Sequence, residues 1–371
     1  MAVVLGKQSA LRVWDGVVAG GNRCVRVDWN APVNRDMSPD QRIHVTPNML
    51  AASQGVTAAN QSVSFAFQDA RDYRRTLERD TKAAVKFLES AVAPELAPAV
   101  RDRFFSDGSL IHATVAHARL RRAGGGIETS VRKGPFHPRS FMRIEDGLCV
   151  STPEMAFCEM ASVLSLERLI ALGFELCGTY RRASTFGLAR YDVIPLTSPG
   201  ALASFIEKSP QFKGVKKARR ALPLILDGSA SPRETELSML MVLPRKLGGY
   251  GLRKPEIRHE FATSSEVLLF LSGKSTAFDL HWPDAGLLLR YGGQALKGND
   301  NDRKRNRHLT SLDAAGSRVV HVTNRDIRHA ESLDEVADAV ARCHGRHLRN
   351  DLQYDFAARQ AELRERVLTD N

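Results

Sequence analysis

Two carboxylates and a run of cations are the residues here that could do chemistry. Asp279 sits inside an apolar segment, Ala277–Trp282, and a carboxylate taken out of water needs a partner. That partner is either a metal ion or an ion-pairing cation, and the residue types alone leave both open. Glu234 falls in the first turn of a helix signalled by Ser231 and Pro232, where the positive end of the helix dipole favours an acid. Arg303, Lys304, Arg305 and Arg307 form a basic run within 297–328, a stretch with eight Lys/Arg against four Asp. Such a run is either a solvated helix face or a phosphate-contacting surface. His344 and His347 stand three apart beside Cys343, without a third ligand at a metal-binding spacing. Neither GGGIE nor LGGYG carries the flanking pattern of a phosphate loop or dinucleotide fingerprint.

The elements that must position these residues follow from pattern. A helix runs from Pro232 to Leu243 with Leu237, Leu240 and Met241 as its buried face. Strands are expected at Glu256–Ala262, Ala277–Trp282 and Gly286–Tyr291, with Pro283–Asp284 turning the last two into a hairpin. A basic helix is expected over about 301–315, then a strand at 317–323 and a helix opening near Ser332. The order is α-β-β-β-α-β-α, which implies an α/β fold with a mixed central sheet and helices on its faces.

Upstream, residues 69–104 have helical periodicity at Tyr73, Leu77, Val85, Leu88 and Val92, interrupted by Pro94 and Pro98. A short helix is expected at Ser9–Trp14. Ile111–Val115 and Gly147–Val150 alternate as strands. Ser151, Thr152, Pro153 and Glu154 spell a helix start, and a second helix covers 165–177. The segment 213–220 carries five positive charges and leads into a helix through Leu226. The turn-rich 227–232 marks a boundary. Three regions result: a mixed α/β N-terminal region at 1–226, an α/β domain at 227–348 and a helical tail at 349–371.

The C-terminal pieces SPRETELSML (231–240), FDLHWPDAGLLLRYGG (278–293) and DRKRNRHLTSLDAAGSRVVHVTNRDI (302–327) resemble very-short-patch-repair (Vsr) endonucleases. These belong to the PD-(D/E)XK, restriction-endonuclease-like superfamily. The second piece is similar to the family pattern D-L-x-x-P-x-x-x-x-x-x-E-Y-D-G. The resemblance implies metal-assisted DNA hydrolysis, in which strand and helix carboxylates hold Mg²⁺ or Mn²⁺ and the cation activates a water. It assigns Asp279 as the strand carboxylate and Glu234 as the helix carboxylate. Arg290 falls where the family carries Glu, and Gly292 where it carries Asp; downstream, Lys297 and Asp300 are the polar candidates. At ~4 Å and an effective dielectric of ~20 one unit-charge pair is worth roughly 4 kcal/mol, so a dication beside Arg repels by about twice that. The implied site is therefore degenerate, with no cofactor expected, or Mg²⁺ or Mn²⁺ if cleavage survives.

LIHATVAHARLRRAGGGIETSVRKG (110–134) and LCVSTPEMAFCEMAS (148–162) resemble the middle of abortive-infection AbiE-type antitoxins. That resemblance implies a bacterial defence or toxin–antitoxin setting and a protein partner. Three readings stand: a nucleic-acid-binding protein with a degenerate nuclease-like domain, an active Mg²⁺-dependent endonuclease with a rearranged site, and an antitoxin-like interaction module.

The bulk numbers bound these readings. The 371 residues carry a formal net charge of +11, a surplus that attracts phosphate backbones, so DNA is the expected partner. Five scattered cysteines (Cys24, Cys149, Cys158, Cys177 and Cys343) point to reduced thiols and a cytoplasmic protein. The opening MAVVLGKQSALRVW lacks the apolar core of a secretion signal. No apolar run approaches the ~20 residues that span a bilayer.

Overall fold

The computed structural model describes residues 3–19, 70–89, 101–102, 104–121, 123–124, 126–182, 189–191, 193, 195–258, 278–291, 311–312, 318–348 and 354–367. The fold is mixed α/β, and the chain divides into two compact units, Met1–Ile225 and Leu226–Asn371.

In the first unit the strands are β1 (Val3–Leu5), β2 (Ile111–Val115), β3 (Ala123–Gly124), β4 (Ile127–Val131), β5 (Phe141–Glu145) and β6 (Leu148–Ser151). Among the described residues they form one six-stranded sheet in the order β3-β4-β2-β1-β6-β5. β1 runs parallel to β6 and β2 parallel to β4, while the β1–β2, β3–β4 and β5–β6 pairs are antiparallel. A short pair, β7 (Arg181–Arg182) and β8 (Ala189–Arg190), stands apart from it.

The helices of this unit are α1 (Lys7–Ala19), α2 (Ala70–Leu88), α3 (Pro153–Met160), α4 (Leu166–Cys177), α5 (Pro199–Glu207) and α6 (Val215–Ala221). Their starts follow from capping chemistry. Thr152, Ser165 and Ser198 each accept a hydrogen bond from a first-turn amide, and proline opens α3 and α5. α1 is longer than the expected Ser9–Trp14. α6 ends at Ala221 instead of continuing through Leu226, because Pro223 has no N–H to donate and the chain passes into a 3₁₀ turn at Leu222–Leu224. The core gathers Leu5, Ile111, Phe141, Val150, Phe157 and Phe174, all fully buried.

One buried polar network ties β1, α1, β4 and α3 together. Glu159 on α3 is fully buried; it accepts a hydrogen bond from the Lys7 amide at 2.7 Å and pairs with Arg132, just past β4, at 3.2 Å. Burial pushes the Glu159 carboxyl above its ordinary range, and Arg132 pulls against that. Gly6 is what lets the chain come so close, since a Cβ there would meet both carboxylate oxygens and the Thr114 hydroxyl at 2.8–2.9 Å.

The second unit contains α7 (Pro232–Val242), β9 (Glu256–Arg258), β10 (Phe278–Trp282), β11 (Leu287–Tyr291), β12 (Ser311–Leu312), β13 (Arg318–Val322), α8 (Asn324–Arg328), α9 (Ala330–Cys343) and α10 (Tyr354–Val367). Its sheet has the order β12-β13-β11-β10-β9. β9, β10 and β11 form an antiparallel meander, and β11 runs parallel to β13. Ser311 and Leu312 pair with β13 as a strand, so the expected basic helix does not extend to 315; residues 301–310 lie outside the described residues. One face of the sheet is apolar: Leu280, Trp282, Leu287, Leu289, Tyr291, Val320 and Val322 are all buried. The C-terminal α10 belongs to this unit. Its Phe356 ring lies under the Arg245 guanidinium at 4.6 Å, and Arg364 donates to the Ile327 carbonyl.

Candidate nucleic-acid site

α7 begins with a Ser231 hydroxyl accepting from the Glu234 amide, and Pro232 occupies the first turn. The helix is then buried along its length, including its polar residues Glu234, Thr235, Glu236 and Ser238. The Glu234 carboxylate turns back on the preceding loop. It accepts from the Ala230 amide at 2.5 Å and from the Ser229 hydroxyl at 3.4 Å. Ser229 also bonds Thr235 at 2.8 Å. Glu234 thus closes the Ser229–Ser231 loop around the helix start.

The strand carboxylate is placed by register. Asp279 stands directly opposite Arg290 on β11 and opposite Arg258 on β9, and Arg290 in turn stands opposite His321 on β13. Directly opposed residues share a face of a sheet, so the ladder sets Asp279 in a row between two arginines. Arg290 is half-buried. The hairpin that brings Asp279 and Arg290 together closes through the 3₁₀ turn Pro283–Ala285. The side chain of Asp279 lies outside the described residues, as do Gly292, Lys297, Asp300 and the run Arg303, Lys304, Arg305 and Arg307.

Sequence reasoning passed over several described groups near these positions. His281, two residues along β10, is buried, with its Nδ1 3.6 Å from a Glu256 carboxylate oxygen. Arg233 holds the fully buried Glu236 at 2.6 Å across one helical turn. The i,i+3 spacing of that pair was visible in the sequence, but its burial was not. Tyr291 is buried, and its phenol is pushed above its ordinary value chiefly by that burial, with Arg233, Glu236 and Arg328 acting on it. His344 belongs to a different arrangement. Its ring stands edge-on to Trp282 at 6.1 Å, and its Nδ1 lies 2.9 Å from the Val340 carbonyl.

Among the described residues no group of three or more His, Cys, Asp or Glu could hold a metal ion. The row around Asp279 fits a dication poorly, since each neighbouring ladder position carries a guanidinium. Among the described residues no helix is long and apolar enough to cross a membrane. Comparison with family models, curated proteins and solved structures gave no match for this chain.

Proposed function

We propose that Leu226–Asn371 is a restriction-endonuclease-like module of Vsr type that binds DNA and has lost metal-dependent cleavage. On this reading the chain is a bacterial nucleic-acid-associated protein. The observation that carries it is the ladder row Arg258–Asp279–Arg290 on a β9-β10-β11 meander whose third strand runs parallel to β13. The element order, a helix before the meander and a parallel strand after it, supports the nuclease-like assignment. Arg290 occupies the position at which a metal-dependent member of that family carries a ligand, and a cationic residue at the ladder position facing Asp279 takes the place of the metal's charge. The Arg303–Arg307 run and the net charge of +11 supply the attraction to phosphate.

The test is direct. Purified full-length protein, incubated with Mg²⁺ or Mn²⁺, leaves plasmid and linear DNA intact. Arg290→Glu combined with Gly292→Asp rebuilds the family pattern, and that variant binds Mn²⁺ where the parent does not. Cleavage by the unmodified protein that Asp279→Ala abolishes would overturn the proposal in favour of an active endonuclease.

A further inference from the structure

We propose that a cleft along β4 in the N-terminal unit binds a small phosphorylated molecule, with its phosphates held by Lys7, Lys133 and Lys213. The cleft has a volume of about 780 Å³ and is lined along one side by Glu128–Pro135 and on the other by Lys7, Ser162 and Gln211–Lys213. That volume lies within the range of about 300–1,000 Å³ typical of small-molecule sites.

The charge on its walls is one-sided. Lys7, Arg121, Arg132, Lys133 and Lys213 line it, against the single carboxylate of Glu128. Arg132 is committed to the buried Glu159 beneath it, and its guanidinium also lies 4.3 Å from the centre of the Phe212 ring. It braces the two walls; of the other lining cations Arg121, Lys133 and Lys213 are exposed, and Lys7 is half-buried with its charge also acting on Glu159. Among the described residues none of those four side chains forms a salt bridge. Cations lining one concavity repel one another, and an anion bearing several oxygens relieves that repulsion while accepting their hydrogen bonds. Ser130, Ser162 and Gln211 add neutral polar groups for the rest of the ligand.

The walls are also fixed in place. Gly214 has φ +98°, and a Cβ there would meet the Cys158 carbonyl at 2.7 Å, so the segment bearing Phe212 and Lys213 packs backbone-to-backbone on the end of α3. On the other wall Lys7 holds a left-handed φ of 52° at the start of α1, with its amide bonded to Glu159. Non-glycine residues held in that region concentrate at ligand-binding positions. Lys7, Lys133 and Lys213 come from three distant stretches of chain, and the backbone at Lys7 and beside Lys213 has little room to shift.

The probes are pyrophosphate and ATP, titrated calorimetrically into the full-length protein without added metal. The expected result is saturable binding to the parent, weakened about tenfold or more by Lys133→Glu with Lys213→Glu. Arg303→Ala with Lys304→Ala and Arg305→Ala leaves the same binding unchanged. Circular dichroism checks that each variant folds; if charge reversal unfolds the chain, Lys133→Gln with Lys213→Gln makes the same comparison. Three results would each overturn the proposal: no saturable binding to the parent, equal binding to parent and Lys133/Lys213 variant, or loss of binding only in the 303–305 variant. Duplex DNA that displaces pyrophosphate through Lys133 and Lys213 would also contradict it, by making the cleft part of a nucleic-acid surface.

Discussion

Glu234 shows why a matched residue and a working ligand are different things. Its fully buried carboxylate satisfies the half-buried Ala230 amide, which gives it a structural task independent of any metal. Removing it strands that donor, so Glu234→Ala costs about 1 kcal/mol or more of stability in the C-terminal unit. Denaturant unfolding of the full chain measures this; an unchanged midpoint would mean that the loop does not depend on the carboxylate. Asp15 makes a prediction of another kind. Burial, followed by the neighbouring Glu175, pushes its carboxyl up to about 7, against the opposing pull of Arg181 at 3.9 Å. Because the folded pKa lies above the ordinary value of 3.8, the folded state binds more protons than the unfolded state between those two values. Stability contributed through this group therefore falls as pH rises from about 4 to about 7. Asp15→Asn flattens that decline in thermal melts taken across the window, and a slope identical to the parent's would refute the assignment.

Short elements divide into those with a local signature and those without one. The Thr152–Pro153 and Ser231–Pro232 helix starts are written in capping residues, and the β10–β11 hairpin in its Pro-Asp turn. The hairpin fixes the register, so the Asp279–Arg290 adjacency was legible in the sequence. The further neighbours Arg258 and His321 depend on pairings made across longer stretches of chain, and the sequence did not hold them. β4 reads Ile-Glu-Thr-Ser-Val and has too few apolar residues to announce a strand. β5 reads Phe-Met-Arg-Ile-Glu, with two apolar residues side by side breaking the alternation of a strand, and α1 starts at a left-handed Lys7 with no capping hydroxyl before it. The Lys7–Lys133–Lys213 cleft was invisible for the same reason: its residues meet only through the sheet. That junction also carries a test at this scale. Gly6→Ala places a methyl 2.8 Å from a buried carboxylate oxygen, and the strain costs about 1–3 kcal/mol. Chemical denaturation reads the loss, and full stability in the variant would show that β1 can shift away from α3.

At the scale of the whole molecule, two α/β units share a chain whose cations exceed its carboxylates by eleven. The charge surplus was plain from composition; the turn-rich 227–232 was expected as a boundary, and packing divides the units between Ile225 and Leu226. The central claim is that the C-terminal unit engages DNA through its phosphates and leaves the strands uncut. A titration of full-length protein on duplex DNA across a range of salt, run with and without Mg²⁺ and followed by electrophoresis of the recovered DNA, tests both halves together. The account predicts affinity that falls steeply with salt for every sequence, and intact DNA with or without Mg²⁺. Replacing Arg303, Lys304 and Arg305 with alanine makes the salt slope shallower by roughly 0.9 for each phosphate that the variant no longer neutralises. A slope unchanged in the triple variant, or Mg²⁺-dependent cleavage by the parent, would contradict it.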